Sequence, residues 1–215
     1  MKTLLIVSLL SIFLSDGPDP ARFQDEINEF KELDKIDPPA QGSYVFIGSS
    51  SMKMWKSLEK DFDGYPVINR GFGGSQFSDA IYYFNDIVKP YNPDKIIIYE
   101  GDNDIASNKS TAKIFRDFKT FRKLILKNLD NPDIAVIGPK PSPSRWHLKE
   151  QYESLNAKIQ KFCDSHAEMT YIDVYNHMLD PRGRPIPNIF LSDSLHMNEK
   201  GYEIWKELVA PFVEK

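Results

Sequence analysis

Four short stretches of this sequence carry side chains that suit one kind of reaction. Gly48 is followed by three serines, Ser49, Ser50 and Ser51, and near the other end Asp193 precedes His196 by three residues. Between them lie a glycine-rich bend, Asn69-Arg70-Gly71-Phe72-Gly73-Gly74, and an amide between two carboxylates in Gly101-Asp102-Asn103-Asp104. A serine hydroxyl is a weak nucleophile until a neighbouring base takes its proton. An imidazole does so through one ring nitrogen, while a carboxylate on the other nitrogen fixes tautomer and orientation. A three-residue separation on a turn lets the Asp193 and His196 side chains lie on one side. Backbone N–H groups at a glycine turn and an Asn amide are donors for charge developing on a carbonyl oxygen. The chemistry would be acyl transfer. Each stretch also has a purely structural reading: serine and aspartate cap helices, glycines permit turns, and Asn103 could close one. Their joint placement has to decide.

Placement depends on the elements between them. Tyr44-Val45-Phe46-Ile47, Val67-Ile68, Lys95-Ile96-Ile97-Ile98-Tyr99, Ile134-Ala135-Val136-Ile137 and Met169-Thr170-Tyr171-Ile172 read as five short apolar strands. Helical patterns fall around 78–89, 110–128, 148–165 and 198–209, and Phe23, Ile27, Phe30 and Leu33 mark one more before Pro38-Pro39. Strands that are apolar throughout, alternating with helices, imply a parallel sheet covered on both faces. Such sheets carry their chemistry at the carboxyl ends of the strands. The first three stretches named above follow predicted strands, and Asp193–His196 precedes the last helix. No repeat or linker divides the chain, so one α/β domain over 18–215 is expected.

With this order the likeness becomes specific. Phe46-Ile47-Gly48-Ser49-Ser50 resembles the first block of the SGNH/GDSL hydrolases, in which a strand ends in Gly-Asp-Ser. Asn69 to Gly74 is similar to the second block, whose glycine supplies an oxyanion-hole amide. Gly101-Asp102-Asn103-Asp104 resembles the third, Gly-x-Asn-Asp, and Asp193-Ser194-Leu195-His196 the fifth, Asp-x-x-His, with Met197 to Tyr202 leading into the last helix. The likeness runs from about 44 to 210. It implies a three-layer α/β/α sandwich, flavodoxin-like, whose five-stranded parallel sheet has the order 2-1-3-4-5. It also implies a serine esterase or acylhydrolase with catalytic Ser50, Asp193 and His196. The implied oxyanion hole comprises the N–H groups of Ser50 and Gly74 and the side chain of Asn103. Ser49 stands where the family has aspartate, and alignment on the preceding Phe-Ile-Gly selects Ser50 among the three serines. That departure also keeps open an inactive relative that binds carbohydrate or lipid without cleaving it.

The rest of the sequence mostly excludes. Across 215 residues the net charge is −4 and no basic patch stands out, which argues against a nucleic-acid partner. The single Cys163 forbids a disulfide framework and reads as a small buried hydrophobe. His147, His166 and His177 lack paired ligand spacing, and neither a Gly-x-x-x-x-Gly-Lys-Ser/Thr nor a Gly-x-Gly-x-x-Gly motif occurs. No metal and no cofactor are expected, and Asp102 and Asp104 read as residues that cap a turn or hold neighbouring loops. Trp55 reads as packing. Lys140 to Trp146 should overhang the cleft, with Arg145 and Trp146 placed to touch substrate. Short connections and the lack of an apolar lid suggest an open cleft for a small ester, an acetylated carbohydrate or a short-chain lipid ester. Lys2 and the apolar run Leu4 to Leu14 fit an export signal over 1–17, too short to span a bilayer. A secreted or periplasmic protein is expected, touching a membrane only if that segment stays attached.

Overall fold

Alternation along the strands explains the layering. In β1 (Gly42–Gly48), Val45 and Ile47 face one way and Phe46 the other. Ile96 and Ile98 of β3 (Pro93–Tyr99) and Ile134 and Val136 of β4 (Asp133–Ile137) share the first face. Ile97, Tyr99, Ala135 and Ile137 share the second. With β2 (Val67–Gly71) and β5 (Met169–Ile172) these strands form one parallel sheet in the order β2-β1-β3-β4-β5. The computed structural model describes residues 18–215. The export segment expected over 1–17 lies outside the described residues.

Helices cover both faces. The first face carries α1 (Gln24–Ile36), and further along the chain α4 (Phe77–Tyr82), α5 (Phe84–Ile87), α7 (Thr111–Asn128) and α8 (Lys149–Cys163). The second carries α2 (Ser50–Lys53), α3 (Leu58–Asp61) and α10 (Glu199–Val213), where Trp55, Trp205 and Phe62 pack around Phe46 and Tyr99. The short α6 (Asp102–Ala106) and α9 (Val174–His177) follow β3 and β5. Each fully buried Ile or Phe contributes about 1.5–3 kcal/mol by leaving water. Trp55 is 1% exposed and Cys163 is buried on α8, as their packing roles require.

Three expectations need correction. The helix expected over 78–89 is two short turns, because the chain leaves helical geometry at Tyr83, whose hydroxyl is drawn to the Pro20 carbonyl. Leu33 is 60% exposed, since α1 runs past the edge of the core after Phe30 and leaves Ile36 in solvent as well. Connections are not uniformly short: the chain from Met178 to Asn198 is one long excursion, pinned by the bridges Leu179–Pro185 and Phe190–Met197. That excursion carries the Asp193–His196 stretch.

The sheet order puts the carboxyl ends of β1 and β3 side by side, with Gly48 paired to Tyr99. From β1 the chain continues outward to β2, and from β3 it continues to β4 on the other side. A crevice forms where the connections diverge in this way. Among the described residues no helix is long and apolar enough to cross a membrane.

Candidate active site

Ser50 opens α2 directly above β1. Gly48 makes the tight exit possible: its φ is +152°, and a Cβ there would sit 2.3 Å from the Tyr99 carbonyl oxygen. Ser49 takes the N-cap position but its side chain makes no capping hydrogen bond, and it is 1% exposed. Ser51 is buried at 2%. The Ser50 hydroxyl is half-buried and turns to the crevice, where Oγ lies 2.9 Å from His196 Nε2. The hydroxyl therefore serves His196 and not the end of the helix.

The partner loop holds itself together. Asp193 Oδ2 accepts from His196 Nδ1 at 2.6 Å, and Oδ1 accepts the backbone N–H groups of Leu195 and His196 at 2.9 Å each. Ser194 between them adopts a left-handed φ of +57°, which turns the chain sharply enough to bring acid and base together. Burial works against ionisation of Asp193, yet the hydrogen bonds from the His196 ring and from the two N–H groups bring its pKa down to about 2. A carboxylate on Nδ1 stabilises the proton there and leaves Nε2 as the acceptor facing Ser50. The geometry suits proton abstraction from Oγ.

The other two nominated residues, Gly74 and Asn103, lie on two further loops. Gly74 sits at a φ of +84°, a conformation a side chain resists, and a Cβ there would meet nothing within 4 Å. Glycine is needed for the backbone turn itself, and the space beside it is open. The preceding Gly73 N–H donates to Glu26 Oε2 at 3.2 Å, and Phe72 packs edge-on against Phe23 at 5.0 Å, so the first helix braces this loop. Asn103 Nδ2 donates to the Ser75 carbonyl at 3.0 Å, while Oδ1 accepts from Arg145 Nη2 at 3.1 Å.

Of Arg145 and Trp146, both expected to touch substrate, the first is already engaged by neighbouring side chains and the second keeps part of its surface in solvent. The Arg145 guanidinium lies on Asp102 Oδ1 at 2.6 Å as well as on Asn103. Trp146 is half-buried in a short 3-10 turn, with the Lys149 ammonium 5.8 Å above its ring. Asp102 and Asp104 hold neighbouring loops, as anticipated. Asp102 also accepts the hydroxyls of Tyr99 and Tyr152, and Asp104 takes Lys109 at 2.9 Å and the N–H of Phe77. Burial alone would raise Asp102, but Lys140 and Arg145 keep it below the ordinary carboxylate range.

Glu100 was not singled out from the sequence, and Lys140, expected to overhang the cleft with the loop that runs to Trp146, is instead drawn inside. Lys140 is fully buried, 3.7 Å from Asp102, and donates to the Leu195 carbonyl at 2.8 Å, tying this cluster to the His196 loop. Its place in a Lys-Pro-Ser-Pro run after a strand was the available signal. Glu100 is fully buried beneath Ser75, whose hydroxyl donates to it. Burial pushes its carboxyl well above the ordinary range, aided by Asp104 and Asp79 and opposed by Ser75. The remaining histidines stay apart: His147 and His177 are exposed, and His166 stacks on Phe162. Among the described residues no three His, Cys, Asp or Glu side chains group as metal ligands would. A groove of about 980 Å³ runs beside the His196 loop, between Met54, Leu191 and Met197 and the stems of Lys56 and Lys206.

A hydroxyl, imidazole and carboxylate in line at the carboxyl edge of a parallel sheet describe a class, the hydrolases that work by acyl transfer to serine. The comparison with protein families agrees: residues 46–204 match the GDSL-like Lipase/Acylhydrolase family, and the chain belongs to it. A search of curated proteins finds no match. Among solved structures, a candidate acylhydrolase from Bacteroides fragilis is similar, with 21% identity, a TM-score of 0.76, and coverage of 92% of this chain and 98% of that one. A GDSL-like lipase from Bacteroides thetaiotaomicron has 21% identity and a TM-score of 0.74, covering 91% and 98%. A catalytic mutant of an acetylxylan esterase from Geobacillus stearothermophilus has 12% identity and a TM-score of 0.66, covering 81% and 95%. At these identities the likeness establishes the shared fold.

Proposed function

We propose that the chain cleaves esters of small acyl groups through a Ser50–His196–Asp193 triad. The observation that carries this reading is the 2.9 Å approach of Ser50 Oγ to His196 Nε2, with Asp193 on the opposite ring nitrogen at 2.6 Å. Ser50 Oγ attacks the ester carbonyl carbon and passes its proton to His196 Nε2. The carbonyl oxygen becomes an oxyanion that accepts from the N–H groups of Ser50 and Gly74 and from the free amide hydrogen of Asn103. Collapse of the intermediate breaks the ester C–O bond, and His196 returns the proton to the departing alkoxide. Water, deprotonated by the same imidazole, then releases the acid and restores Ser50. The mechanism needs no cofactor, metal or nucleic-acid partner.

The groove of about 980 Å³ beside the His196 loop, lined by Leu191, Met197 and charged side chains, supports a polar alcohol part for the ester. An acetylated carbohydrate fits that description, and a short-chain lipid ester fits it less closely. The acetylxylan esterase of similar fold adds weight to the first. The leader-like segment supports action outside the cytoplasm. Ser50→Ala should abolish hydrolysis of p-nitrophenyl acetate, with Ser49→Ala and Ser51→Ala retaining much of it. Full activity in Ser50→Ala, or labelling of Ser49 or Ser51 by a serine-directed phosphonate, would refute the assignment.

A further inference from the structure

The amide of Asn103 can work as an oxyanion donor only if its nitrogen, not its oxygen, faces the substrate. Two neighbours decide which way it points. The Ser75 carbonyl can only accept, and it takes one of the two Nδ2 hydrogens at 3.0 Å. The Arg145 guanidinium can only donate, and it gives Nη2–H to Oδ1 at 3.1 Å. A flipped amide would set oxygen against the carbonyl and N–H against the guanidinium, both repulsive. Arg145 remains protonated at every working pH, so it cannot adapt to the flipped form.

Arg145 is in turn fixed from behind. Asp102, the residue before Asn103, binds Nη1 at 2.6 Å. Its carboxylate also collects the hydroxyls of Tyr99 and Tyr152 and faces the buried Lys140 ammonium at 3.7 Å. A planar fork held by a carboxylate on one prong leaves the second prong a single direction, towards Asn103. We propose that Arg145 is a positioning residue that locks the Asn103 amide with one hydrogen aimed into the oxyanion hole. The proposal rests on the triad reading and assigns Arg145 a task other than binding substrate.

The test is a double-mutant cycle on p-nitrophenyl acetate hydrolysis, read separately in kcat and KM, with thermal midpoints measured alongside. Asn103→Ala should lower kcat by about 10²–10³. Arg145→Met, which keeps the aliphatic stem, should lower kcat by about 10–10² with KM changed less than about threefold, because the amide matters once the oxyanion forms. In Asn103→Ala/Arg145→Met the second change should add less than about twofold, since the lock has nothing left to hold. Arg145→Lys keeps a cation on Asp102 but lacks the fork, so it should lose activity in the same kcat-selective way. That variant carries the cycle if Arg145→Met fails to fold. Multiplicative losses in the double variant would overturn the proposal, as would a rise in KM at unchanged kcat. Ser50→Ala run in parallel separates the two readings: if it is active the triad itself fails. If it is dead and the cycle is additive, only the role of Arg145 fails.

Discussion

Replacing Asp193 by Asn is the most informative change to the acid of this site, because the loop should survive it. Asp193 Oδ1 carries the two N–H bonds that shape the turn, at 2.9 Å each, and the amide oxygen of Asn can keep both. The amide nitrogen must then occupy the place of Oδ2, 2.6 Å from His196 Nδ1. It is a donor where an acceptor stood. Nδ1 must give up its proton to accept from it, the proton moves to Nε2, and Nε2–H now points at Ser50 Oγ. The base has become a donor. A tautomer error of this kind costs on the order of 10⁴ in kcat, or about 5.4 kcal/mol at about 1.36 kcal/mol per tenfold. The assay is kcat/KM on p-nitrophenyl acetate from pH 5 to 9, with the thermal midpoint as control. Because Asp193 titrates at about 2, the native enzyme should show no step from it anywhere in that range. An Asn variant within tenfold of native, at an unchanged midpoint, would refute the orienting role. A collapsed midpoint would refute the claim that the turn tolerates Asn.

Gly74→Ala should cost about 1–2 kcal/mol of stability, from backbone strain at a φ of +84° rather than from any clash, and should lower kcat as its N–H shifts. Gly73→Ala, where the nearest atom to the new Cβ is 3.8 Å away, is the control. Equal effects in thermal melts and turnover would refute the strain argument. Glu100→Gln should flatten the pH dependence of stability. The native carboxyl holds its proton well above the ordinary range, whereas the unfolded chain loses it near 4.5. Above that pH the folded state therefore binds more protons, and stability falls as pH rises, by up to about 1.4 kcal/mol per pH unit. Urea melts between pH 5 and 8 should show the native protein losing stability that the Gln variant keeps, and parallel curves would contradict it.

The sheet was legible because most of its strands are apolar on both faces and four of the five run into a glycine within two residues, a local signal that needs no tertiary knowledge. The order 2-1-3-4-5 came from the resemblance, and the structure has it. Four blocks of side chains fell at strand ends or before the last helix, so Ser50, Gly74, Asn103, Asp193 and His196 could be nominated together. The partners of Arg145 could not. Its proximity to Asp102, 43 residues earlier, is created by the crossing of two loops, and no periodicity encodes that. Lys140 was placed over the cleft for the opposite reason, since a lysine in a proline-rich loop ordinarily points to water and this one is fully buried. The exposed end of α1 was misjudged because helical spacing says which face is apolar but not where the core beneath it stops.

The bracing of Phe72 and Gly73 by α1 has a bearing on how this enzyme would fail on heating. The helix and the turn before it are anchored by Phe23 and Ile27, by partly exposed ion pairs of Arg22 and Glu26 with Asp79 and Lys53, and towards the far end by Asp34, which accepts from Arg70 and from the Tyr91 hydroxyl, while Leu33 and Ile36 stay in solvent. Segments with few buried contacts open locally at lower free energy than the sheet does. Undocking of the first helix would free the Gly73–Gly74 turn while the strands, the triad loop and nearly all of the helical signal persisted. Heat inactivation would then run ahead of global unfolding, and the enzyme's working ceiling would be set by its most peripheral helix.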